Sequence, residues 1–299
     1  MTLTLNSVHS RPVAVIGAGV LGRRIASVFI AAGYTVHLYD SSEEAAKQTT
    51  VYIQDHQEEY SAYVQGRGIK RGVYRIFTDM GTAVHDAWLA IEAVPEQLHL
   101  KKKVFGELDK LTPEDCILGS NSSSYKSSLM LDEVSAKRQQ QVLNIHFYIP
   151  PAMRVVELMT DGETRSDVLE LMKNILESCG MMPVVAQKES TGLIFNRLWA
   201  AVKREILLML AEGIAQPEEI DMLWKHIFAT GPAPCEWMDQ AGLDTIAFIE
   251  DNYIRERKLD GSMTVDWLRE NYINQGCLGK KVDSKGGLKK ACIHGCSQS

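Results

Sequence analysis

The sequence predicts an α/β first domain with a mostly parallel sheet, followed by an all-helical second domain. Three observations support this prediction. Short β-branched runs alternate with longer amphipathic runs from Arg11 to about Lys188. After Gly192, helical patterns continue to about Asn274 without another strand pattern. The length of 299 residues fits two domains of roughly 150 residues each.

The strands and helices of the first domain are predicted from their patterns. The expected strands are Val13–Ile16, Thr35–Tyr39, Trp88–Glu92, Ile117–Gly119, Val142–His146, Val155–Met159 and Pro183–Ala186. Ser41 and Glu44 have the spacing of a capping box, which predicts a helix that runs toward Val64. An apolar stripe predicts another helix over Leu98–Leu111.

The second domain is predicted to begin at the change of pattern near Lys188–Gly192. One long apolar-rich helix is expected from Leu193 to Ala211, and Pro217 is expected to open the next helix. The predicted organisation is therefore a first domain over residues 1–188, a helical domain over 189–279 and a basic, mobile tail over 280–299.

Composition and charge exclude several classes of protein. The formal charge of −6 argues against nucleic acid as a partner. No apolar run approaches the roughly 20 residues that cross a bilayer, so we expect no membrane association. Six scattered cysteines are too few for a disulfide framework in a chain of this size, which predicts reduced thiols and a cytoplasmic protein. No metal site is predicted.

A glycine motif follows the first predicted strand and opens a predicted helix. Its residues are Gly17, Ala18, Gly19, Val20, Leu21 and Gly22. In this context the pattern is the dinucleotide-binding fingerprint of a Rossmann-type domain. Gly17 permits a tight turn, Gly19 lets the backbone approach a pyrophosphate, and Gly22 lets helix and strand pack closely.

Asp40 ends the second predicted strand, where a carboxylate can accept hydrogen bonds from both hydroxyls of an adenosine ribose. A 2′-phosphate would meet like charge there, and the neighbouring Ser41 and Ser42 supply no arginine to compensate. The sequence therefore predicts NAD rather than NADP as the cofactor.

Oxidation of a secondary alcohol needs a base that works near neutral pH and donors to the forming carbonyl. His146 ends a predicted strand, and Glu157 follows it inside the next one. Strand carboxyl ends are where open α/β sheets bind ligands. Taken singly, such residues are more often structural, the histidine as a satisfied core residue and the glutamate as a solvated one.

Six stretches of the sequence follow one another in the order found in a known family. They are Gly17–Gly22 with Asp40, Ile91–Glu96, Asn121–Ser124, His146–Tyr148 up to Glu157, Phe195–Leu198, and Gly242–Thr245 after the break at Gly231. In this order they resemble the 3-hydroxyacyl-CoA dehydrogenase family, including its lambda-crystallin and L-gulonate 3-dehydrogenase branch. The likeness covers nearly the whole chain.

The resemblance implies roles for individual residues. It implies that His146 is the proton acceptor, that Glu157 orients it, and that Ser123 and Asn196 hydrogen-bond the substrate oxygen. It also implies that Glu96, Lys101 and Ser123 surround the nicotinamide ribose and that Lys281 lies near the cofactor. The family's helical domain forms dimers, which implies a homodimer here.

The sequence departs from the family at three places. Glu157 follows His146 by 11 positions, one fewer than is usual, and we expect the proline-containing loop rather than a strand to absorb the difference. Ile149 stands where the family has asparagine. His56 and Tyr63 stand where the acyl-CoA enzymes have serine and lysine contacts to coenzyme A. The flanking acids Asp55, Glu58 and Glu59 disfavour a phosphorylated carrier, unless they are simply solvated and the carrier binds elsewhere.

These observations predict an NAD-dependent dehydrogenase of a small-molecule substrate. The first candidate is a 3-hydroxyacyl thioester and its 3-oxo form, with His146 as base. The alternative is a free or specialised 3-hydroxy acid, such as a sugar acid. A third hypothesis, from another class, is a non-catalytic NAD-binding structural or regulatory dimer.

Overall fold

The computed structural model describes residues 8–229, 231, 233–282 and 286–289. The chain divides into two compact units, the first ending at Ile194 and the second starting at Phe195. This division falls after the predicted boundary because the long helix starts only at Phe195, and Leu193 has a φ of 55° that no α-helix accommodates. The predicted fold class, an α/β unit followed by a helical one, is confirmed.

The first unit is built on one eight-stranded sheet with the order β3-β2-β1-β4-β5-β6-β7-β8. Its strands are β1 (Val13–Ile16), β2 (Val36–Tyr39), β3 (Tyr74–Phe77), β4 (Leu89–Glu92), β5 (Ile117–Ser120), β6 (Val142–Phe147), β7 (Val155–Thr160) and β8 (Met182–Ala186). Neighbouring strands are parallel except β6 and β7. The carboxyl ends of β1, β4, β5 and β6 therefore meet at one edge, where such sheets bind ligands.

Helices cover both faces of this sheet. They are α1 (Val20–Ala31), α2 (Glu43–Ser61), α3 (Met80–Val84), α4 (Leu98–Leu111), α5 (Ala136–Gln139) and α6 (Ser166–Ser178). Side chains of α1, α2 and α6 pack in one buried cluster with the sheet, and those of α3 and α4 pack in another. The sheet is thus the middle of three layers, which explains why its central strands are apolar on both faces.

Two details of the first unit differ from the sequence prediction. Strand β3 was not predicted, because it lies at the sheet edge and its residues are only partly buried, so Tyr74–Phe77 carries no continuous apolar signal. The predicted cap at Ser41 is wrong by one residue. Ser42 caps α2 instead, with its side chain accepting a hydrogen bond from the Ala45 N–H.

Every regular element among the described residues of the second unit is a helix. Its α-helices are α7 (Phe195–Ala211), α8 (Pro217–Phe228), α9 (Pro234–Ala241), α10 (Leu243–Arg257) and α11 (Trp267–Asn271). Pro217 opens α8 as predicted, and Gln216 and Glu219 form its capping box. In the part of the chain that the structure describes, no helix is both long and apolar enough to span a membrane.

The described part of the predicted tail packs against the second unit. Gly279–Val282 forms one helical turn, and the buried Asp239 carboxylate accepts hydrogen bonds from the N–H groups of Leu288 and Lys289. Residues 290–299 lie outside the described residues. These contacts fix residues that the sequence analysis expected to be mobile.

The cysteines fit the expectation of reduced thiols only in part. Cys116, Cys179 and Cys235 are free and buried. Cys277 is disulfide-bonded, which corrects the prediction for that residue.

Candidate active site

The glycine loop between β1 and α1 has the backbone geometry that the motif predicts. Gly17 has a φ of 104°, and a Cβ there would lie 2.8 Å from the carbonyl oxygen of Ala93. A Cβ on Gly22 would lie 1.8 Å from the carbonyl oxygen of Gly17. Around Gly19, by contrast, a Cβ would meet nothing within 4 Å. The loop is therefore closely packed at Gly17 and Gly22 and open at Gly19.

The open position, Gly19, lies at the start of α1. Gly19 is the N-cap of α1 and has no side chain that could cap it, which leaves the first N–H groups of the helix for a ligand. Unpaired N–H groups and the positive end of the helix dipole favour phosphate. The loop and helix together fit a dinucleotide pyrophosphate.

Asp40 borders the same loop. Its Oδ2 accepts a hydrogen bond of 2.8 Å from the Ala18 N–H, and its Oδ1 accepts one of 2.9 Å from the Ser42 N–H. Each carboxylate oxygen keeps further capacity to accept. The side chain therefore fixes the loop and can still bind a ribose diol.

A cavity of about 520 Å³ adjoins the loop and includes Gly17, Gly19 and Asp40 in its wall. Eleven other residues complete this wall, and none of them was predicted as a site residue. They are Ile16, Tyr39, Ser41, Met80, Ala93, Val94, Pro95, Leu100, Lys103, Val104 and Glu107. Most are apolar, as suits a flat base beside a polar ribose, and five of them come from α3 and α4. No motif marks the residues of α3 and α4, because helix faces near a pocket have the same periodicity as core faces. Ala93, Val94 and Pro95 lie instead in the Ile91–Glu96 stretch of the resemblance.

A buried ionic cluster joins the ends of β4 and β5. Glu92 is fully buried, and its carboxylate accepts hydrogen bonds from Lys101 Nζ at 2.7 Å, from Ser120 Oγ at 2.7 Å and from the Val94 N–H at 2.8 Å. Burial raises the pKa of Glu92, against the lowering effect of Lys101 and the other donors. Lys101 also forms an ion pair of 3.1 Å with Glu96. Its ammonium group is thus held inside the protein by two carboxylates.

Glu96 connects this cluster to the serine loop after β5. Its Oε1 accepts hydrogen bonds from Ser122 Oγ at 2.5 Å and from the Ser124 N–H at 3.1 Å. Ser123 lies between these two residues, and its hydroxyl is 3.5 Å from that of Ser124. Ser122 therefore makes the contact with Glu96, while Ser123 keeps hydrogen-bonding capacity for a ligand.

His146 is buried near the carboxyl end of β6. Its Nδ1 lies 3.0 Å from the carbonyl oxygen of Asn121. A carbonyl oxygen only accepts hydrogen bonds, so Nδ1 carries the proton and Nε2 has the free electron pair. Burial lowers the pKa of His146 below its usual 6.5, although the Asn121 carbonyl and the charges of Glu157 and Glu96 oppose this effect. The lowered pKa favours the neutral imidazole.

Glu157 pairs directly with His146 across the antiparallel strands β6 and β7. The two side chains share one face of the sheet despite the short spacing, because the loop before Val155 absorbs the missing residue. The carboxylate is occupied by other donors. Its Oε1 accepts a hydrogen bond from the Tyr148 hydroxyl, and its Oε2 accepts one of 2.6 Å from the Ile194 N–H. Asn121, rather than Glu157, thus sets the tautomer of His146.

Two predicted site residues lie in the second unit. Asn196 is the second residue of α7. Lys281 binds the Asp244 carboxylate at 3.0 and 3.1 Å and the Thr245 hydroxyl at 2.5 Å. The predicted residues around the substrate and the nicotinamide ribose lie in the first unit. Glu96 follows β4, Ser123 follows β5, and Lys101 lies in α4. His146 lies in β6, and Glu157 lies in β7.

Comparison with known proteins agrees with this geometry. Residues 12–190 match the family model for the 3-hydroxyacyl-CoA dehydrogenase NAD binding domain, and residues 192–287 match the model for the C-terminal domain of the same family. The human mitochondrial hydroxyacyl-coenzyme A dehydrogenase is 30% identical over 251 residues, which cover 81% of this chain and 79% of that protein.

Two further relatives are informative. The 3-hydroxyacyl-CoA dehydrogenase-like protein LAM1 of Cochliobolus heterostrophus is 46% identical over 155 residues, and the match covers 52% of this chain but only 32% of that protein. A diketoreductase, solved in work on the dual catalysis of dicarbonyl compounds, is 29% identical with a TM-score of 0.75 over 93% of this chain and 98% of that one. The chain belongs to the 3-hydroxyacyl-CoA dehydrogenase family, whose members are NAD-dependent dehydrogenases of 3-hydroxyacyl-CoA or related hydroxy acids, and its cofactor is NAD.

Proposed function

We propose that this protein interconverts a 3-hydroxyacyl thioester and its 3-oxo form, with His146 as the base and acid. The observation that carries the proposal is the hydrogen bond from Nδ1 of His146 to the Asn121 carbonyl, because in the neutral ring it places the proton on Nδ1 and the free electron pair on Nε2. A neutral imidazole with a lowered pKa can take the hydroxyl proton at pH 7. NAD, when bound, supplies the hydride acceptor.

In the proposed reaction Nε2 of His146 takes the proton of the 3-hydroxyl group. The imidazolium that forms is stabilised by the carboxylates of Glu157 and Glu96, whose charges both favour the protonated ring. Ser123 and Asn196 donate hydrogen bonds to the substrate oxygen as it becomes a carbonyl. In the reverse direction the same imidazolium returns the proton.

The cofactor contacts belong to the same proposal. Gly17–Gly22 and the start of α1 hold the pyrophosphate, and Asp40 accepts hydrogen bonds from the adenosine ribose. Glu96 and Ser123 lie near the nicotinamide ribose. Lys101 acts there through Glu96, since its ammonium group is buried and paired with Glu92 and Glu96. For Lys281 the assignment to the cofactor rests on the family resemblance alone.

The names of the relatives support the thioester as the first substrate class, since they include hydroxyacyl-coenzyme A dehydrogenases. A free 3-hydroxy acid is the second candidate. It is favoured by the exposed carboxylates of Asp55, Glu58 and Glu59 along α2, which repel the phosphates of coenzyme A. The diketoreductase likeness also favours it, because dicarbonyl compounds need no carrier.

A panel of substrates tests these alternatives. The protein is mixed with NADH and either acetoacetyl-CoA or free acetoacetate, and nicotinamide absorbance is followed. We expect oxidation of NADH with the thioester. Turnover of the free acid alone would favour a free 3-hydroxy acid as the substrate class, and no turnover despite NADH binding would support the non-catalytic dimer.

The same assay with NADPH tests the role of Asp40, because its carboxylate is expected to weaken binding of a 2′-phosphate.

We also propose a homodimer formed through the second unit. Helix α8 exposes Met222, Leu223, Ile227 and Phe228, each more than half accessible to solvent. Clustered exposed apolar side chains of this size mark an interaction surface. Sedimentation velocity is expected to show twice the chain mass of 33.4 kDa, and Ile227→Glu is expected to halve it. A wild-type species of 33.4 kDa at micromolar concentration would contradict the proposal.

We propose a cytoplasmic location, which imaging of the tagged full-length protein in its own cells tests. Because several relatives are mitochondrial proteins, co-localisation with a mitochondrial marker would overturn it.

A further inference from the structure

We propose that Tyr148 is a positioning residue of the active site, which holds the Glu157 carboxylate in place with its hydroxyl while its ring packs against the His146 imidazole. The inference rests on the proposed function of His146. It adds a residue to which neither the sequence analysis nor the family resemblance assigns a role.

The contacts of Tyr148 join the two predicted catalytic side chains. Its hydroxyl donates a hydrogen bond to Oε1 of Glu157. Its ring centroid lies 4.7 Å from that of His146, with the ring planes at 64°. One side chain therefore makes a polar contact with the carboxylate and an edge contact with the base.

The backbone explains why these three side chains meet. Tyr148 follows His146 by two positions and is the first residue after β6, and its ring lies beside the His146 ring. Glu157 is the cross-strand partner of His146 in β7. A phenylalanine at position 148 would fill the same space, so the hydroxyl is the part of Tyr148 that adds the bond to Glu157.

The Glu157 carboxylate is 2% exposed, so its orientation depends on protein donors rather than on water. Tyr148 holds one of its oxygens, and the Ile194 N–H holds the other at 2.6 Å. Nδ1 of His146 is bound to the Asn121 carbonyl, so Glu157 acts on the imidazole through its charge. The distance and direction of that charge are what the Tyr148 hydroxyl controls.

Loss of this hydroxyl changes the balance of charge at His146. The phenol donor draws part of the negative charge of Glu157 toward itself, and without it the carboxylate can turn toward the imidazolium. The other charged group that acts on His146 in the first unit is Glu96, which Tyr148→Phe leaves in place. We therefore expect the pKa of His146 to rise in the variant.

The test compares Tyr148→Phe with Tyr60→Phe. Tyr60 is a buried tyrosine whose hydroxyl donates a 2.9 Å hydrogen bond to the Pro150 carbonyl in the loop that follows Tyr148, so it controls for loss of a hydroxyl that supports this loop. The measurement is the pH dependence of kcat/KM for alcohol oxidation, which reports the free enzyme. We expect the acid limb of Tyr148→Phe to move to higher pH by about one unit, the effect of one charge-assisted hydrogen bond. Tyr60→Phe is expected to follow the wild-type curve.

Titration of the His146 ring protons by NMR gives a second readout that needs no turnover, and it also shows whether the variant is folded. A coincident or downward-shifted titration in Tyr148→Phe would overturn the proposal. In a Glu157→Gln background the hydroxyl has no charge to hold, so adding Tyr148→Phe is expected to cause no further shift; an equal shift there would also overturn it. These outcomes differ from failure of the proposed function, in which the wild type itself would not oxidise the substrate.

Discussion

Turnover is expected to fall about 100- to 10,000-fold when His146 is replaced by alanine, because the reaction loses its proton acceptor. NADH binding is expected to stay within about twofold of wild type, since the glycine loop and Asp40 lie at other strand ends and keep their contacts. Stopped-flow absorbance at saturating substrate measures the first quantity, and fluorescence titration of NADH measures the second.

His37 supplies a matched control for this variant. It is 8% exposed, as is His146, and its Nδ1 also lies 3.0 Å from a backbone carbonyl oxygen, that of Ala83. The variant His37→Ala is therefore expected to lose comparable packing but to keep its turnover number. If both variants lost activity equally, or if His146→Ala stayed active, the role of His146 as base would be wrong.

The direction of the pH dependence follows from the lowered pKa of His146. Oxidation needs the neutral imidazole, so its rate is expected to be constant near pH 7 and to fall only below the usual histidine pKa of 6.5. Reduction of the 3-oxo form needs the imidazolium and is expected to rise over the same range as the pH falls.

Local sequence signals predicted the backbone of the cofactor site. The glycine motif and Asp40 act through short-range backbone geometry. Their spacing therefore predicts the tight turn at Gly17, the unobstructed N-terminus of α1 at Gly19, and a carboxylate beside the loop. The pairing of His146 with Glu157 could also be expected, because prolines placed the missing residue in the loop rather than in β7.

Contacts between elements distant in sequence could not be predicted in the same way. Nothing in the pattern distinguishes Ser122 from Ser123 as the partner of Glu96, or shows that the Asn121 carbonyl rather than Glu157 binds Nδ1 of His146. The sequence around Tyr148 shows only an aromatic residue after a strand and does not predict its contact with Glu157. These choices depend on angles and distances between strand ends, which the tertiary structure sets.

For Lys101 the structure indicates a different role from the one that the resemblance implies. The resemblance places it near the nicotinamide ribose, whereas its ammonium group lies 2.7 Å from Glu92 and 3.1 Å from Glu96, and the residue is 1% exposed. Glu92 is itself fully buried. An ion pair in this setting contributes little when intact, but loss of one partner leaves an uncompensated buried charge.

The variant Lys101→Met is therefore expected to lose about 3–5 kcal/mol of the free energy of unfolding at pH 7, measured by urea denaturation of the cofactor-free protein. Its neighbour Lys102 pairs with the exposed Asp132, so Lys102→Met is expected to cost at most about 1 kcal/mol. Removing the carboxylate as well, in Lys101→Met with Glu92→Gln, is expected to restore part of the loss.

The pH dependence of that loss separates a structural role from a cofactor contact. Burial already raises the pKa of Glu92, and without Lys101 it rises further, so acidification neutralises the carboxylate and the penalty of Lys101→Met shrinks as the pH falls. A direct contact with the ribose predicts a different result: near-wild-type stability at every pH with weaker NADH binding. That outcome would mean that the Glu92 carboxylate does not need the Lys101 ammonium group for its stability in the cofactor-free protein, and it would overturn the structural assignment of Lys101.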